Sequence, residues 1–166
     1  MTGEVDPIAE AKRQWTAHGW SDAADGMEMV TSLVRVHQLL DERIDAVLRP
    51  LGLTFARYEI LRLLAFTHSG SMPMSRLGSL LQVHAASVTS AVDRLEKQGF
   101  VVRERDEQDG RVVLAGITTE GSAVVEKATE RLNGEVFADT GLDDRDVQAM
   151  TALLTAYRRQ AGDITP

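Results

Sequence analysis

The side chains best suited to recognition chemistry are concentrated between residues 75 and 111 of this 166-residue chain. Hydroxyl and cationic groups recur there at helical spacing, as in Ser87, Ser90, Arg94 and Lys97. Such groups donate hydrogen bonds to phosphates and to the edges of nucleic-acid bases. No serine lies in a G-x-S-x-G motif, and the four histidines lack metal-ligand spacing. These residue types favour non-covalent recognition over catalysis, and neither a metal nor a cofactor is predicted.

A helix, a turn and a second helix are predicted to position these groups. An apolar stripe that includes Val88, Val92 and Leu95 predicts the second helix over about Ala86 to Gln98, and Gly99 ends it. The stripe should pack back onto three leucines of the first helix, namely Leu77, Leu80 and Leu81.

A hairpin is predicted to follow. Two β-rich runs, Phe100–Arg105 and Arg111–Ile117, are joined by Asp106–Gly110, whose final Asp-Gly is a hairpin signal. Met72–Met74 could add a third short strand. Helix, turn, helix and hairpin in this order are typical of a winged helix-turn-helix DNA-binding unit.

Two motifs of this stretch resemble those of the MarR family of bacterial transcription regulators. The run Val92–Val101 (VDRLEKQGFV) resembles the family segment VDRLE…GLV. Asp106–Arg111, followed by Ile117–Gly121 (ITTEG), is similar to the wing signature D-x-x-D-[RG]-R and LT-x-x-G. The resemblance extends from about Ala23 to Gly162.

The predicted fold is mainly α with a small β-hairpin wing (α+β). A winged helix-turn-helix core (51–118) would be flanked by dimerisation helices (22–50 and 119–162) and preceded by a short helical extension (1–21). Long apolar stripes on the helices predicted over 23–48 and 143–161 could pack within the chain or in a dimer. The family resemblance implies a homodimer with interleaved terminal helices. Four residues are predicted to cap helices: Thr54, Ser75, Thr118 and Asp143.

Composition excludes some mechanisms and leaves others open. The net charge is −7, but residues 50–111 carry +1 and the rest of the chain −8, so the acidity lies outside the proposed DNA-facing segment. The chain has no cysteine, which excludes disulfides, thiolate zinc sites and a cysteine-based oxidation switch. Neither a signal peptide nor a membrane span is predicted, so a cytoplasmic protein without a membrane partner is expected.

The predicted contacts with double-stranded DNA lie on the two helices and the wing. They are Ser75, Arg76, His84, Ala86, Ser87, Thr89, Ser90, Arg94, Lys97, Arg103, Arg105, Asp109 and Arg111. Where many relatives carry arginine or asparagine, this chain has the small Ala85 and Ser90, so thymine methyls and DNA shape should supply more of the specificity. His84 could cap the second helix or contact a phosphate.

Arg111 is the predicted wing contact. The resemblance implies that its guanidinium enters the minor groove and is held there by Asp109. A narrow minor groove attracts a guanidinium because it concentrates negative potential. The other interpretation of this pair is a hairpin salt bridge, which on a surface contributes at most about 1 kcal/mol.

The resemblance also implies a small aromatic or lipophilic effector, such as a phenolic or aromatic acid or its coenzyme A thioester. The predicted ligand-binding residues are Trp20, His37, Arg57, Tyr58 and Arg62. His37 lies in the apolar stripe of a helix, where a histidine is more often a core or dimer-interface residue than a ligand contact. Trp20, with Trp15, could instead attach the N-terminal extension to the body.

These features predict a regulator of transcription rather than an enzyme. The expected protein is a homodimeric repressor that binds a pseudo-palindromic operator and is released by its effector. The alternative is a winged-helix module that binds a protein without sequence-specific DNA binding. It stays open because the wing carries four carboxylates: Glu104, Asp106, Glu107 and Asp109.

Overall fold

A computed structural model describes residues 6–164, and the chain divides into two compact units, residues 1–46 and 47–166. Seven α-helices and three strands lie in the described range. In chain order these are α1 (Pro7–Ala17), α2 (Ser21–Leu48), α3 (Phe55–Phe66), β1 (Ser71–Pro73), α4 (Met74–Leu81), α5 (Ala85–Lys97), β2 (Val101–Arg105), β3 (Val113–Ile117), α6 (Thr119–Leu132) and α7 (Asp144–Gln160). This confirms the mainly α fold with a small wing.

In the first unit, ion pairs at the surface connect α1 with α2. Lys12 Nζ lies 2.8 Å from Asp25 Oδ1 and 2.6 Å from Glu28 Oε2. Hydrogen bonds to these carboxylates, that to Asp25 first, raise the pKa of Lys12 above its ordinary value. Trp15 and Trp20 meet edge to face with ring centroids 5.2 Å apart, and Trp20 is 54% exposed.

The apolar stripe of α2 is mostly exposed in the single chain. Its residues Met29, Val30, Leu33, Val34, Leu39 and Leu40 are 39% to 53% exposed. The His37 side chain, predicted within a buried stripe, is 74% exposed, and its Nε2 lies 3.3 Å from Asp41 Oδ2. Burial of this stripe within the single chain is therefore not observed, and its burial in a dimer stays a prediction.

The core of the second unit forms around α3, which packs against α4, α5, α6 and the sheet. Large apolar side chains fill it, with relative exposures of 2% or less: Ile60, Leu61, Leu64, Leu77, Val88, Val92, Leu95, Val101, Val125 and Leu132. Burial of each such side chain stabilises the fold by about 1.5 to 3 kcal/mol. This core fixes α5, the predicted recognition helix, by its apolar face.

The three strands form one antiparallel sheet in the order β1-β3-β2. Ala115 of β3 is the register partner of both Met72 and Arg103, so the predicted third strand is confirmed. The base of the wing packs against α6 at Gly121, where a Cβ atom would lie 2.1 Å from the Phe100 carbonyl oxygen. Only glycine fits this contact.

Three of the four predicted helix caps are confirmed. Thr54, Thr118 and Asp143 each accept a hydrogen bond from a backbone N–H in the first turn of their helix. The Ser75 cap is wrong, because Pro73 precedes α4 and Ser75 lies inside its first turn.

One further expectation differs from the structure. Leu80, predicted to support the second helix, is 50% exposed. The helix after the wing ends as an α-helix at Leu132 and continues as one π-helical stretch, Asn133–Phe137. Across residues 6–164, no helix is long and apolar enough to cross a bilayer.

Candidate nucleic-acid interface

The outer side of α5 is the central surface of the site. Because Val88, Val92 and Leu95 face the core, the helix exposes Ala86, Ser87, Thr89, Ser90, Arg94 and Lys97. The Thr89 hydroxyl donates to the Ala85 carbonyl at 3.0 Å, so its donor is used within the helix. Four polar groups face solvent, namely the hydroxyls of Ser87 and Ser90 and the cations of Arg94 and Lys97. A surface that contacts bases and phosphates in a DNA groove requires such exposed groups.

The start of α5 differs from the prediction in one respect. The helix begins at Ala85, and its N-terminal cap position is His84, whose side chain makes no capping hydrogen bond. The capping interpretation of His84 is therefore wrong, and the phosphate contact stays a prediction for its exposed ring. His84 and Ser75 line an open groove of about 450 Å³ between α4 and α5. Arg76 is exposed on α4.

The wing loop is organised by Asp106, which the sequence had suggested only as part of a turn. Its carboxylate accepts hydrogen bonds from the backbone N–H groups of Gln108 at 2.8 Å and Asp109 at 2.9 Å. Its own N–H donates to the Val112 carbonyl at 3.0 Å. An aspartate that closes a turn in this way holds the loop without further packing.

Asp109 in turn holds Arg111. Its Oδ1 accepts from both the backbone N–H and the Nε of Arg111, each at 3.1 Å. The side-chain and backbone hydrogen bonds from Arg111 lower the pKa of the Asp109 carboxyl. The Arg111 side chain is 93% exposed, so its guanidinium projects from the wing with most donors directed at solvent.

Arg103, at the base of the wing, has a different environment. Its Nη1 lies 2.5 Å from Asp93 Oδ1 and 3.2 Å from Glu96 Oε2, while Nη2 donates to the Thr89 carbonyl at 3.2 Å. These bonds connect β2 to α5. Arg105 donates to the Gly110 carbonyl at 2.7 Å and supports the wing loop. Phosphate contacts remain predictions for both arginines.

Arg57, predicted as a ligand-binding residue, lies beside α5. It lines an open cleft of about 490 Å³ with Thr54, Ala86, Ser87, Ser90, Ala91 and Arg94. Its Nε donates to Thr54 Oγ1 at 3.3 Å and its Nη1 to Gln98 Oε1 at 3.0 Å. Burial, and then the positive charge of Arg94, lower the pKa of Arg57.

Tyr58 and Arg62 lie together on a different side of α3, against α6. The Tyr58 hydroxyl is 3.1 Å from Thr129 Oγ1, to which Arg62 Nη2 also donates at 2.7 Å. Arg62 Nη1 lies 2.9 Å from Glu126 Oε1. Trp20 and His37 belong to the first unit. Within the second unit, the structure therefore groups Tyr58 with Arg62 and separates Arg57 from them.

Thr54, Gln98 and Asp106 were not predicted as site residues, although each positions one. Asp106 could have been found from the sequence. An aspartate within a predicted turn often forms an Asx turn, in which its carboxylate accepts hydrogen bonds from N–H groups further along the turn. The contact of Gln98 with Arg57 spans 41 residues and has no local signal. No group of three metal-ligating side chains occurs among residues 6–164.

The similarity to known proteins points to the same kind of surface. The profile of the MarR family matches residues 53–113. The organic hydroperoxide resistance transcriptional regulator of Bacillus subtilis is 31% identical over 84 residues, which cover 51% of this chain but only 56% of that protein.

Solved structures extend the similarity to most of the chain. Sco5413, a MarR family transcriptional regulator from Streptomyces coelicolor, is 42% identical, with a TM-score of 0.76 over 86% of this chain and 99% of that one. Sco3205 from the same organism, solved in complex with DNA, shares the fold at 24% identity and a TM-score of 0.73 over 86% of this chain and 89% of its own. The chain belongs to the MarR family of transcriptional regulators, which are not enzymes.

Proposed function

We propose that this protein is a homodimeric repressor that binds a pseudo-palindromic operator and releases it when a small aromatic or lipophilic molecule binds. One observation carries the DNA-binding part of the proposal. A single winged domain exposes both the polar side of α5 and, at the wing tip, the 93% exposed guanidinium of Arg111. A helix suits the major groove, and a projecting arginine suits a narrow minor groove.

The two elements divide the recognition between them. Around Ala86 and Ser90, α5 offers small side chains, which approach thymine methyls but give no bidentate contact with guanine or adenine. Arg94 and Lys97 lie further along and suit phosphates. The positive charge of Arg111 favours a narrow minor groove, because the negative potential is strongest there, and Asp109 fixes the orientation of the guanidinium. We therefore expect an operator whose A·T-rich flanks matter as much as its major-groove bases.

The apolar faces of α2 and α7 support the homodimer. On α7, Met150, Leu153, Leu154 and Tyr157 are 41% to 73% exposed, in addition to the exposed stripe of α2. Exposed apolar faces on two helices are typical of an interface. Sedimentation should give a dimer at micromolar concentration, and Leu33→Glu should weaken it, whereas Ser32→Glu, a neighbouring control, should do so less. A stable folded monomer of the wild type would exclude the dimer.

An unsatisfied buried donor supports the effector. Arg62 Nε is buried without a hydrogen-bond partner, beside the buried ring of Tyr58. A ligand carboxylate or phenolate could accept from it, and the absence of cysteine excludes a thiol switch as the means of control. In a thermal-shift screen of aromatic acids, we expect at least one to stabilise the wild type and to stabilise Arg62→Gln less. A panel without any response would count against the effector.

Selection of bound sequences from random DNA tests the central proposal. We expect an enriched two-fold symmetric site, with half-sites separated by about one helical turn. Affinity for that site should fall steeply with salt, in proportion to the phosphates contacted. A failure to enrich any sequence would favour the alternative, a module that binds a protein through its acidic wing.

A further inference from the structure

The cleft between α3 and α5 brings two guanidinium groups together without a carboxylate. Arg57 and Arg94 both line it, with the hydroxyl-bearing Thr54, Ser87 and Ser90, and none of its lining residues is acidic. Two like charges in one cleft repel each other, and here burial, and then the charge of Arg94, lower the pKa of Arg57. An anion placed between them would reverse this penalty.

The acidic residues of α5 do not neutralise these cations. Asp93 and Glu96, which flank Arg94 in sequence, are both within ion-pair distance of Arg103, at 2.5 and 3.2 Å. One side of α5 is thus a closed cluster of three charges that connects the helix to β2. On the other side, the positive charge of the cleft has no counterion among its lining residues.

Arg57 is positioned for a further hydrogen-bonding partner. Its Nε bonds to Thr54 Oγ1 and its Nη1 to Gln98 Oε1, at 3.3 and 3.0 Å. A guanidinium has five N–H donors, so these two bonds orient its plane and leave other donors available. The backbone beneath is also fixed, because Gln98 Nε2 donates to the Gly52 carbonyl at 2.9 Å.

We propose that this cleft binds one phosphate of the DNA backbone between Arg57 and Arg94, extending the interface from α5 to α3. The inference rests on the proposed DNA binding. An arginine fork matches phosphate geometry, and the hydroxyls of Ser87 and Ser90 add donors beside it. Arg57 is then a DNA-positioning residue and not part of the effector site. Its contact with the phosphate should fix the position of α5 along the DNA without adding a preference for particular bases.

Salt titration of operator affinity tests this assignment in the full-length protein. Arg57→Gln should weaken binding about tenfold at low salt. The slope of log K against log salt should fall by about 0.9 for each phosphate that the variant no longer neutralises. The selected sequence should be unchanged. Arg57→Lys keeps the positive charge but lacks the planar guanidinium that can donate two hydrogen bonds to one phosphate. Relative to Arg57→Gln, it should restore most of the salt slope and only part of the affinity.

A matched variant controls for net charge. Arg145→Gln removes one positive charge from an exposed position of α7. We expect it to leave the salt slope within error of the wild type. Thermal unfolding of each variant checks that the fold is retained. Arg94→Gln removes the second proposed contact independently, and the double variant should weaken binding by less than the two single effects combined.

The outcomes separate this inference from the proposed function. If the wild type binds DNA with a steep salt slope and Arg57→Gln leaves slope and affinity unchanged, the phosphate site is wrong while DNA binding stands. Additive effects of the two substitutions would assign the arginines to separate phosphates and overturn the shared site. If the wild type selects no DNA, the proposed function itself fails.

A free anion is the other source of the same chemistry. Inorganic phosphate, titrated against sodium chloride at equal ionic strength, should stabilise the DNA-free wild type slightly more than Arg57→Gln, because it offers the same anion to the same two arginines. A stabilisation that only the wild type shows, together with an unchanged salt slope in Arg57→Gln, would assign the cleft to a free anion. That result would overturn its assignment to the DNA backbone.

Discussion

At the base of the wing, Arg103 lies against two carboxylates and its side chain is 25% exposed, whereas at the tip Arg111 meets one carboxylate and is 93% exposed. Both arginines lie on or beside the same small hairpin. Arg103, at the base, connects strand β2 to α5. Arg111, at the tip, is oriented by one carboxylate, and its guanidinium is not closely packed. The difference shows that the surroundings, more than the residue type, decide whether a cation is paired within the fold or stays exposed to solvent.

Backbone packing differs between the base and the tip in the same direction as side-chain exposure. The base includes Gly121, where α6 approaches the Phe100 carbonyl too closely for any side chain. The tip is held by hydrogen bonds to Asp106 and Asp109 and by the hydrogen bond from Arg105 to the Gly110 carbonyl. Close packing therefore fixes the backbone at the base, whereas the Arg111 side chain at the tip stays 93% exposed.

Disrupting the base should have the largest effect. In Gly121→Ala the new Cβ would lie 2.1 Å from the Phe100 oxygen, so backbone must move and we expect a decrease of about 3 kcal/mol in unfolding free energy. Urea denaturation followed by circular dichroism measures it. Gly134→Ala is the control, since its Cβ would meet nothing within 4 Å. Equal stability of the two variants would contradict this close packing.

Removal of the tip cation should affect DNA binding and not stability. Each protomer of an Arg111→Ala dimer would lack a charge-assisted contact, so we expect operator affinity to fall about a hundredfold. Its unfolding free energy should change by less than about 0.5 kcal/mol, since the side chain is exposed. Fluorescence anisotropy with the selected operator measures the affinity, and near-wild-type binding would refute the role.

The base arginine should show the opposite pattern. Arg103→Gln leaves Asp93 and Glu96 without their partner, and we expect a decrease of about 1 kcal/mol in unfolding free energy. Operator affinity should fall less than in Arg111→Ala. A large drop in affinity with a reduced salt slope and unchanged stability would instead show that Arg103 is itself a phosphate contact.

The smallest effect is expected from Asp109→Asn. Arg111 lowers the pKa of Asp109, so its ionised form contributes above the ordinary value of 3.8 and is lost only as pH falls through the lowered one. The ratio of wild-type to Asp109→Asn affinity should therefore be a few-fold and constant between about pH 5 and 8. Anisotropy at several pH values measures it, and a steep change of the ratio in that window would contradict the assignment.

Local sequence signals predicted most of the fold because they act within one turn or one face. Thr54, Thr118 and Asp143 cap their helices through bonds to N–H groups three residues on. Ser75 failed as a cap because β1 runs to Pro73, and the pairing of Pro73 with Leu114 fixes where the chain can turn into α4. Strand pairing between residues so far apart in sequence leaves no local trace.

The sequence by itself determined the helical spacing, the order of helix, turn, helix and hairpin, and the Asp109–Arg111 pair. All of these depend on neighbours a few residues apart. Only the tertiary structure decided which neighbour each face of α3 meets. It placed Arg57 beside α5 and Arg62 against Thr129 of α6, although both lie on one helix five residues apart. Periodicity gives the angle between two side chains but not the element packed against each, and that element decides whether an arginine lines an open cleft or packs against a neighbouring helix.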